Sequence, residues 1–291
     1  MKVIRSDVLG FCMGVRRAVD YACAEAKSAK GRHVYTYGPI VHNPKVLDDL
    51  LKRGVHNLDE LPQDFEGASL IIRAHGVNPQ LEKDIRGRGA HVIDATCPIV
   101  KASQLQAEEL SREKYCLFLA GEANHPEIVG ILGYAQSYNS PFCAVVGSAG
   151  EAGKAAKKLY GINHDVKTAL LGQTTISEKE YSVIGEAIKL FFPNLEIIQT
   201  ICSATTERQQ ALCEIINKAD AVIIAGGKES ANTRRLFAIA QKTGKPCVLV
   251  EDAKEIPKSF FSYGTVGISS GASTPDYVID EIERELLKNQ A

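Results

Sequence analysis

Three cysteines carry the most distinctive chemistry in this sequence. Cys12, Cys97 and Cys202 lie 85 and 105 residues apart (12 to 97, 97 to 202), within GFCMGV, DATCP and ICSATT. Thiols this distant cannot meet through local chain geometry, and nothing matches the clustered C-x₂-C spacing of ferredoxins or zinc ribbons. Any metal site they form must be assembled by tertiary structure. Three thiolates suit a [4Fe–4S] cluster, which is usually held by four cysteines. With three, one iron stays open as a Lewis acid for a substrate oxygen. A hydroxyl held there becomes a better leaving group, and the cluster can pass electrons into the bond that breaks. A structural zinc site is the competing occupant, and the residues alone leave both open.

The other five cysteines read differently. Cys23 and Cys213 each follow one of the three by 11 residues on the same helix, three turns that return to nearly the same face. They are expected as core thiols, since cysteine without a disulfide is commonly buried. Cys116, Cys143 and Cys247 lie in or beside apolar runs and take the same reading.

Polar turns supply the remaining chemistry. His42 lies in VHNP, His75 in AHG and His125 in NHPE, where glycine or proline also restricts the backbone. With Ser230, Asn232 and Ser273, and with helix N-termini, they offer donors suited to an anionic head group such as phosphate. His33, His56, His91 and His164 lack such settings and are expected to be filler. Glu127 follows His125 at a helix start; dipole compensation is its ordinary role, and proton delivery is the sharper one. Thr174, in GQTT, is placed to relay that proton or to bind a substrate hydroxyl, with helix capping as its ordinary role.

These residues need elements to hold them, and the chain supplies those in triplicate. Segments 33–54, 116–135 and 221–244 each run β-rich stretch, glycine, polar turn and apolar-periodic helix. Segments 69–85, 168–184 and 265–282 repeat strand, small polar turn and helix, and 91–110, 197–216 and, more loosely, 1–26 carry the cysteines. Alternation of short β runs with 3.6-period helices is the pattern of parallel βα units. Pro44, Pro79, Pro98, Pro126 and Pro275 fit first helical turns. The expectation is α/β, with three similar small parallel-sheet modules in a pseudo-threefold trefoil around a central site. We place the modules at 14–97, 98–200 and 201–291, with residues 1–13 packed against the third. Ligands gather at the carboxyl ends of parallel strands, and a threefold arrangement would bring the three cysteine turns toward one axis.

Composition removes several function classes. The 291 residues are 45% hydrophobic and 24% charged, with a formal net charge of −1. That balance supplies no basic field for nucleic acid and no polybasic patch for lipid. The start MKVIRSDVLGFCMGV lacks an apolar h-region, and no apolar run approaches a membrane span, so a cytoplasmic location is expected. Eight cysteines without an export signal argue against disulfides. No G-x-G-x-x-G follows a strand, so no nicotinamide or flavin site is indicated. GSAGEAGKAA resembles a P-loop, but Ser148 and Ala155 stand where its glycine and hydroxyl residues belong. Electrons must therefore come from a partner.

Taken together, GFCMGV, VHNP, AHG, DATCP, HPE, GQTT, ICSATT and GASTPD occur in the order of the 4-hydroxy-3-methylbut-2-enyl diphosphate reductase (LytB) family, which this chain resembles over nearly its whole length. The resemblance implies a three-domain α/β trefoil with one [4Fe–4S] cluster bound by Cys12, Cys97 and Cys202, which oxidation would degrade to [3Fe–4S]. It implies that His42, His75, His125, Ser230, Asn232 and Ser273 surround the substrate diphosphate. Glu127 would deliver protons, Thr174 would lie near the substrate hydroxyl, and a ferredoxin- or flavodoxin-type donor would supply electrons. The implied reaction removes the hydroxyl reductively, in the last step of the methylerythritol phosphate route to isoprenoids. Some members carry a second serine where this chain has Ala231, whose backbone N–H can still meet a phosphate oxygen.

Overall fold

The runs Cys116–Ala120, Thr168–Gly172 and Ala221–Ala225 are apolar or small throughout, and every residue in them is buried. Such runs mark parallel strands covered on both faces. The computed structural model describes residues 1–288, so residues 289–291 of the expected third module lie outside the described residues.

In chain order the elements are β1 (Lys2–Arg5), α1 (Met13–Ser28), β2 (Val34–Tyr37), α2 (Pro44–Lys52) and β3 (Val55–Leu58). They continue with β4 (Ser69–Ile72), α3 (Pro79–Gly87), β5 (His91–Asp94), α4 (Pro98–Arg112), β6 (Cys116–Ala120) and α5 (Pro126–Ser137). Next come β7 (Cys143–Val146), α6 (Ala149–Ile162), β8 (Thr168–Gly172), α7 (Glu178–Lys189) and β9 (Glu196–Ile197). The described chain closes with α8 (Ser203–Lys218), β10 (Ala221–Ala225), α9 (Ala231–Lys242), β11 (Cys247–Val250), β12 (Thr265–Ser270) and α10 (Asp276–Lys288). The α/β class expected from the sequence holds, with three sheets.

The chain divides into two units, residues 1–57 with 203–291, and residues 58–202. In the first, the strand order is β1-β12-β10-β11, all parallel, with Arg5 opposite Ile268 and Ala225 opposite both Ser270 and Val250. Ile223, Ile268, Ile279 and Ile282 fill one core of this unit, and Leu212, Ile215, Ile224 and Leu236 another. β2 lies beside β3, whose residues 55–57 belong to the same unit. The second unit contains the parallel order β7-β6-β8-β9 and the parallel pair β4–β5. Phe118, Leu170, Ile184 and Phe192 pack in one cluster here, and Leu117, Leu119, Ile128 and Leu171 in another.

Helix starts are written into the turns. Asn43 accepts the N–H groups of Lys45 and Val46, and Asn78 accepts that of Leu81, each just before a proline at the first helical position. Such caps satisfy donors that the helix itself cannot, typically worth about 1 kcal/mol each. Ser177 and Glu180 form a reciprocal box at the start of α7. Pro98 and Pro126 open α4 and α5 directly after Cys97 and His125, and Pro275 immediately precedes α10. Helices therefore begin beside the residues of chemical interest.

The core makes a simple prediction. Phe118→Ala, at a fully buried position, should lower unfolding free energy by about 3–5 kcal/mol. Leu190→Ala, at a site 82% exposed, should stay within about 0.5 kcal/mol. Denaturant melts of the two variants check this, and similar losses would contradict the assigned core.

Candidate functional site

Each of the three cysteines stands directly before a helix: Cys12 before α1, Cys97 before α4 and Cys202 before α8. Each backbone N–H is spoken for in the same way. Cys12 donates to Ala272 at 3.0 Å, Cys97 to Ala74 at 2.9 Å and Cys202 to Thr174 at 3.0 Å. Those acceptors lie two residues beyond the ends of β12, β4 and β8, which are strands that pair in parallel with β1, β5 and β9. The repeat seen in sequence thus has one backbone hydrogen bond as its structural signature. All three cysteines are half-buried, and neither Cys12 nor Cys97 spends its side chain on capping. Half-buried sulfur donors at positive helix ends fit a thiolate-bound cluster.

Glu127 organises the second unit. Its side chain is 1% exposed, the only fully buried carboxylate among the described residues. Two donors from Thr174 face it, the backbone N–H at 2.6 Å on Oε1 and the hydroxyl at 3.0 Å on Oε2. Charge-assisted bonds of this kind are what make a buried carboxylate tolerable. Because Thr174 also accepts from Cys202, one residue joins the acid to a cysteine turn. His125 caps α5 by accepting the Glu127 N–H on Nδ1 at 3.2 Å. In the neutral ring Nε2 then carries the proton and acts as a donor. The His75 ring stands edge-on to that of His125, with centroids 5.1 Å apart. His75, His125, Glu127, Thr174, Cys97 and Cys202 all belong to this unit.

The first unit holds Cys12, His42, Ser230, Asn232 and Ser273. Ser273 donates to the His42 carbonyl at 3.3 Å. Gly227 lies against the same carbonyl, where an added Cβ would come within 2.1 Å of the oxygen. Ser230 caps α9 by accepting the Thr233 N–H. Asn232, 5% exposed, has a buried Nδ2 with no hydrogen-bond partner among the described residues. A buried orphan donor is costly, and one in the first turn of a helix fits an anionic ligand oxygen.

The remaining thiols mostly behave as core groups. Burial pushes Cys143 up to about 12 and raises Cys116 and Cys247, so these thiols stay protonated and are poor ligands. Cys213 departs from expectation: it is exposed. The buried stripe of α8 runs through Thr205, Arg208, Leu212, Ile215 and Ile216, which turns position 213 outward. Cys23 is half-buried. His33, His56, His91 and His164 are exposed, as filler would be. GSAGEAGKAA forms the start of α6, capped by Ser148, rather than a phosphate loop. Two features escaped the sequence reading: Arg208 in the buried stripe of α8, and the close approach at Gly227. A charged residue at a core-period position was a visible signal for the first; the second had none.

Parallel strands with polar and sulfur-bearing turns at their carboxyl ends define an α/β enzyme with its chemistry at those turns. Over residues 3–287 the sequence matches the LytB protein family, and the chain belongs to that family. It is 43% identical over 294 residues to the 4-hydroxy-3-methylbut-2-enyl diphosphate reductase of Treponema denticola, covering 99% of this chain and 100% of the relative. Among solved structures it resembles an (E)-4-hydroxy-3-methyl-but-2-enyl diphosphate reductase described as the terminal enzyme of the non-mevalonate pathway. That likeness has a TM-score of 0.71 and 37% identity, over 99% of this chain and 100% of the other. The E-1-hydroxy-2-methyl-but-2-enyl-4-diphosphate reductase of Plasmodium falciparum matches with a TM-score of 0.88 and 28% identity, over 97% of this chain and 87% of that one. No helix among the described residues is long and apolar enough to cross a membrane.

The packing at Gly227 sets a test. Gly227→Ala should cost about 1–3 kcal/mol by overpacking against the His42 carbonyl. Gly153→Ala, in α6 with nothing within 4 Å, should instead stabilise by about 0.5–1 kcal/mol. Thermal melts that rank the two the other way would refute the close approach.

Proposed function

We infer that this chain is a cytoplasmic iron–sulfur reductase that converts (E)-4-hydroxy-3-methylbut-2-enyl diphosphate to isopentenyl and dimethylallyl diphosphates. This is the last step of the methylerythritol phosphate route. The observation that carries the reading is full-length membership of a family whose relatives bear that activity in their names. It is supported by the buried Glu127–Thr174 pair bonded to a cysteine turn.

In this reading Cys12, Cys97 and Cys202 hold one [4Fe–4S] cluster, open to loss of an iron on oxidation to [3Fe–4S]. When bound, the cluster supplies two electrons and a Lewis-acidic iron for the oxygen that leaves. The chain's own residues do the rest. Ser230, Asn232 and the α9 N-terminus bind the diphosphate, joined by donors from His42, His75, His125 and Ser273. Ala231 offers only its backbone N–H, which lowers affinity modestly relative to a serine. Thr174 orients the substrate hydroxyl, and its Oγ1 links that hydroxyl to Glu127 Oε2 at 3.0 Å. One proton passes along this link and leaves with the oxygen as water. The other proton and the electron pair form the new C–H bond, so the C–O bond is exchanged for C–H. The electrons originate from a ferredoxin- or flavodoxin-type partner.

Protein purified without oxygen should be brown, contain iron and acid-labile sulfide, and form both isoprenoid diphosphates only when a reductant is supplied. An iron-replete sample that makes no product sinks the assignment, and turnover without reductant would mean a hydro-lyase. Glu127→Gln should keep its iron and lose about 10²–10⁴-fold in rate. Full activity in that variant would remove Glu127 from the proton path.

A further inference from the structure

Arg208 is 2% exposed and shares the buried stripe of α8 with Thr205, Leu212, Ile215 and Ile216. Burying a guanidinium costs free energy unless hydrogen bonds recover it, so an arginine at a core-period position calls for a role beyond packing. Its Nη2 donates to the Gly10 carbonyl at 2.8 Å. The Gly10 N–H donates to Ser270 Oγ at 3.0 Å, so this residue is held at both of its polar atoms. Gly10 also has φ +73°, and a Cβ there would meet Asp276 Oδ1 at 2.0 Å. The positive φ favours glycine at this position, whereas the exposed Asp276 side chain could move aside. Two residues further on, the Cys12 N–H is held by Ala272.

The loop between β1 and α1 is therefore clamped from α8 on one side and from the end of β12 on the other. Two residues of chain span at most about 7 Å, so the Arg208 charge stands on the order of 10 Å from Cys12.

We propose that Arg208 is a positioning residue for the ligand Cys12, fixing its loop through the Gly10 carbonyl while setting a buried positive charge near the sulfur. The proposal rests on the reading of Cys12 as a cluster ligand. Reduction makes a cluster more negative, and a fixed cation in a low-dielectric interior favours that state. Outer hydrogen bonds and nearby charge are the protein's means of setting such potentials. Arginine suits the task because it stays charged and presents a rigid fork, which lysine lacks.

The test compares wild type, Arg208→Gln and Arg208→Lys, each purified anaerobically and loaded with iron and sulfide. Folding is followed by circular dichroism, cluster content by iron analysis, and midpoint potential by a titration monitored by electron paramagnetic resonance. Arg208→Gln should fold and bind iron, show a more negative potential, and lose about tenfold in kcat with KM for the diphosphate unchanged. Arg208→Lys should recover the potential but release its cluster faster in air. A wild-type potential in Arg208→Gln overturns the electrostatic role, and a wild-type cluster lifetime in both variants overturns the clamp. Should Arg208→Gln fail to fold, Arg208→Lys decides: faster cluster loss supports the proposal, and unchanged lifetime refutes it. Wild-type protein without iron and sulfide, or a Cys12→Ala variant with a full iron complement, refutes the ligand reading instead.

Discussion

One backbone hydrogen bond, made three times, governs where the chemistry can lie. In each case the N–H of a cysteine is given to the carbonyl two residues beyond a neighbouring parallel strand: Ala272, Ala74 or Thr174. A single bond of this type contributes only about 1 kcal/mol net. Its importance is geometric. Parallel pairing of β1 with β12, β4 with β5 and β8 with β9 sets the register, and the bond carries that register past the strand ends into the turn. The next residue opens a helix, so the thiol is held between a rigid sheet and a positive helix end. A metal ligand on a free loop would have no such constraint, and a site less than an ångström out of place loses function.

The same turn delivers the acid. Thr174 accepts from Cys202 through its carbonyl and donates to Glu127 through both N–H and hydroxyl. A carboxylate 1% exposed would be ruinous to stability without donors of this quality. Burial also keeps it from bulk water, so in the proposed reaction its proton would pass through a group that touches it. The hydroxyl of Thr174, which donates to Glu127 Oε2 at 3.0 Å, is a group of that kind with a transferable proton. The bonds that satisfy the buried acid thus include the contact proposed to carry its proton, and disturbing them would affect both.

Much of this was legible from residue order. The triple alternation, the prolines at helix starts and the histidines held by glycine or proline all express local rules that the structure follows. What escaped reading depends on direction and distance. Cys213 was expected to be buried because 11 residues return to nearly the same helix face, but the face that matters is set by packing of α8 onto its sheet. Gly227 looks like an ordinary turn glycine until the His42 carbonyl is seen against it. Those residues are far apart in sequence, so no local pattern records their contact. The P-loop look-alike failed for a local reason: Ser148 is a good N-cap, and the alanine-rich stretch after it prefers helix.

The repeats also differ where substrate chemistry would require it. The cysteine positions and their backbone bonds are alike in all three. The residues beside the acceptor carbonyls are not alike: His75 follows Ala74, Ser273 follows Ala272, and Thr174 serves as its own functional side chain. A diphosphate alcohol is polar at both ends in different ways, with an anion at one end and a hydroxyl at the other. Neutral and cationic donors suit the first, and a hydroxyl coupled to a carboxylate suits the second. A scaffold built by repetition can hold a symmetric centre without further change. Discrimination between the two ends of its substrate must come from side chains that the repeats do not share, and these turns are where the repeats diverge.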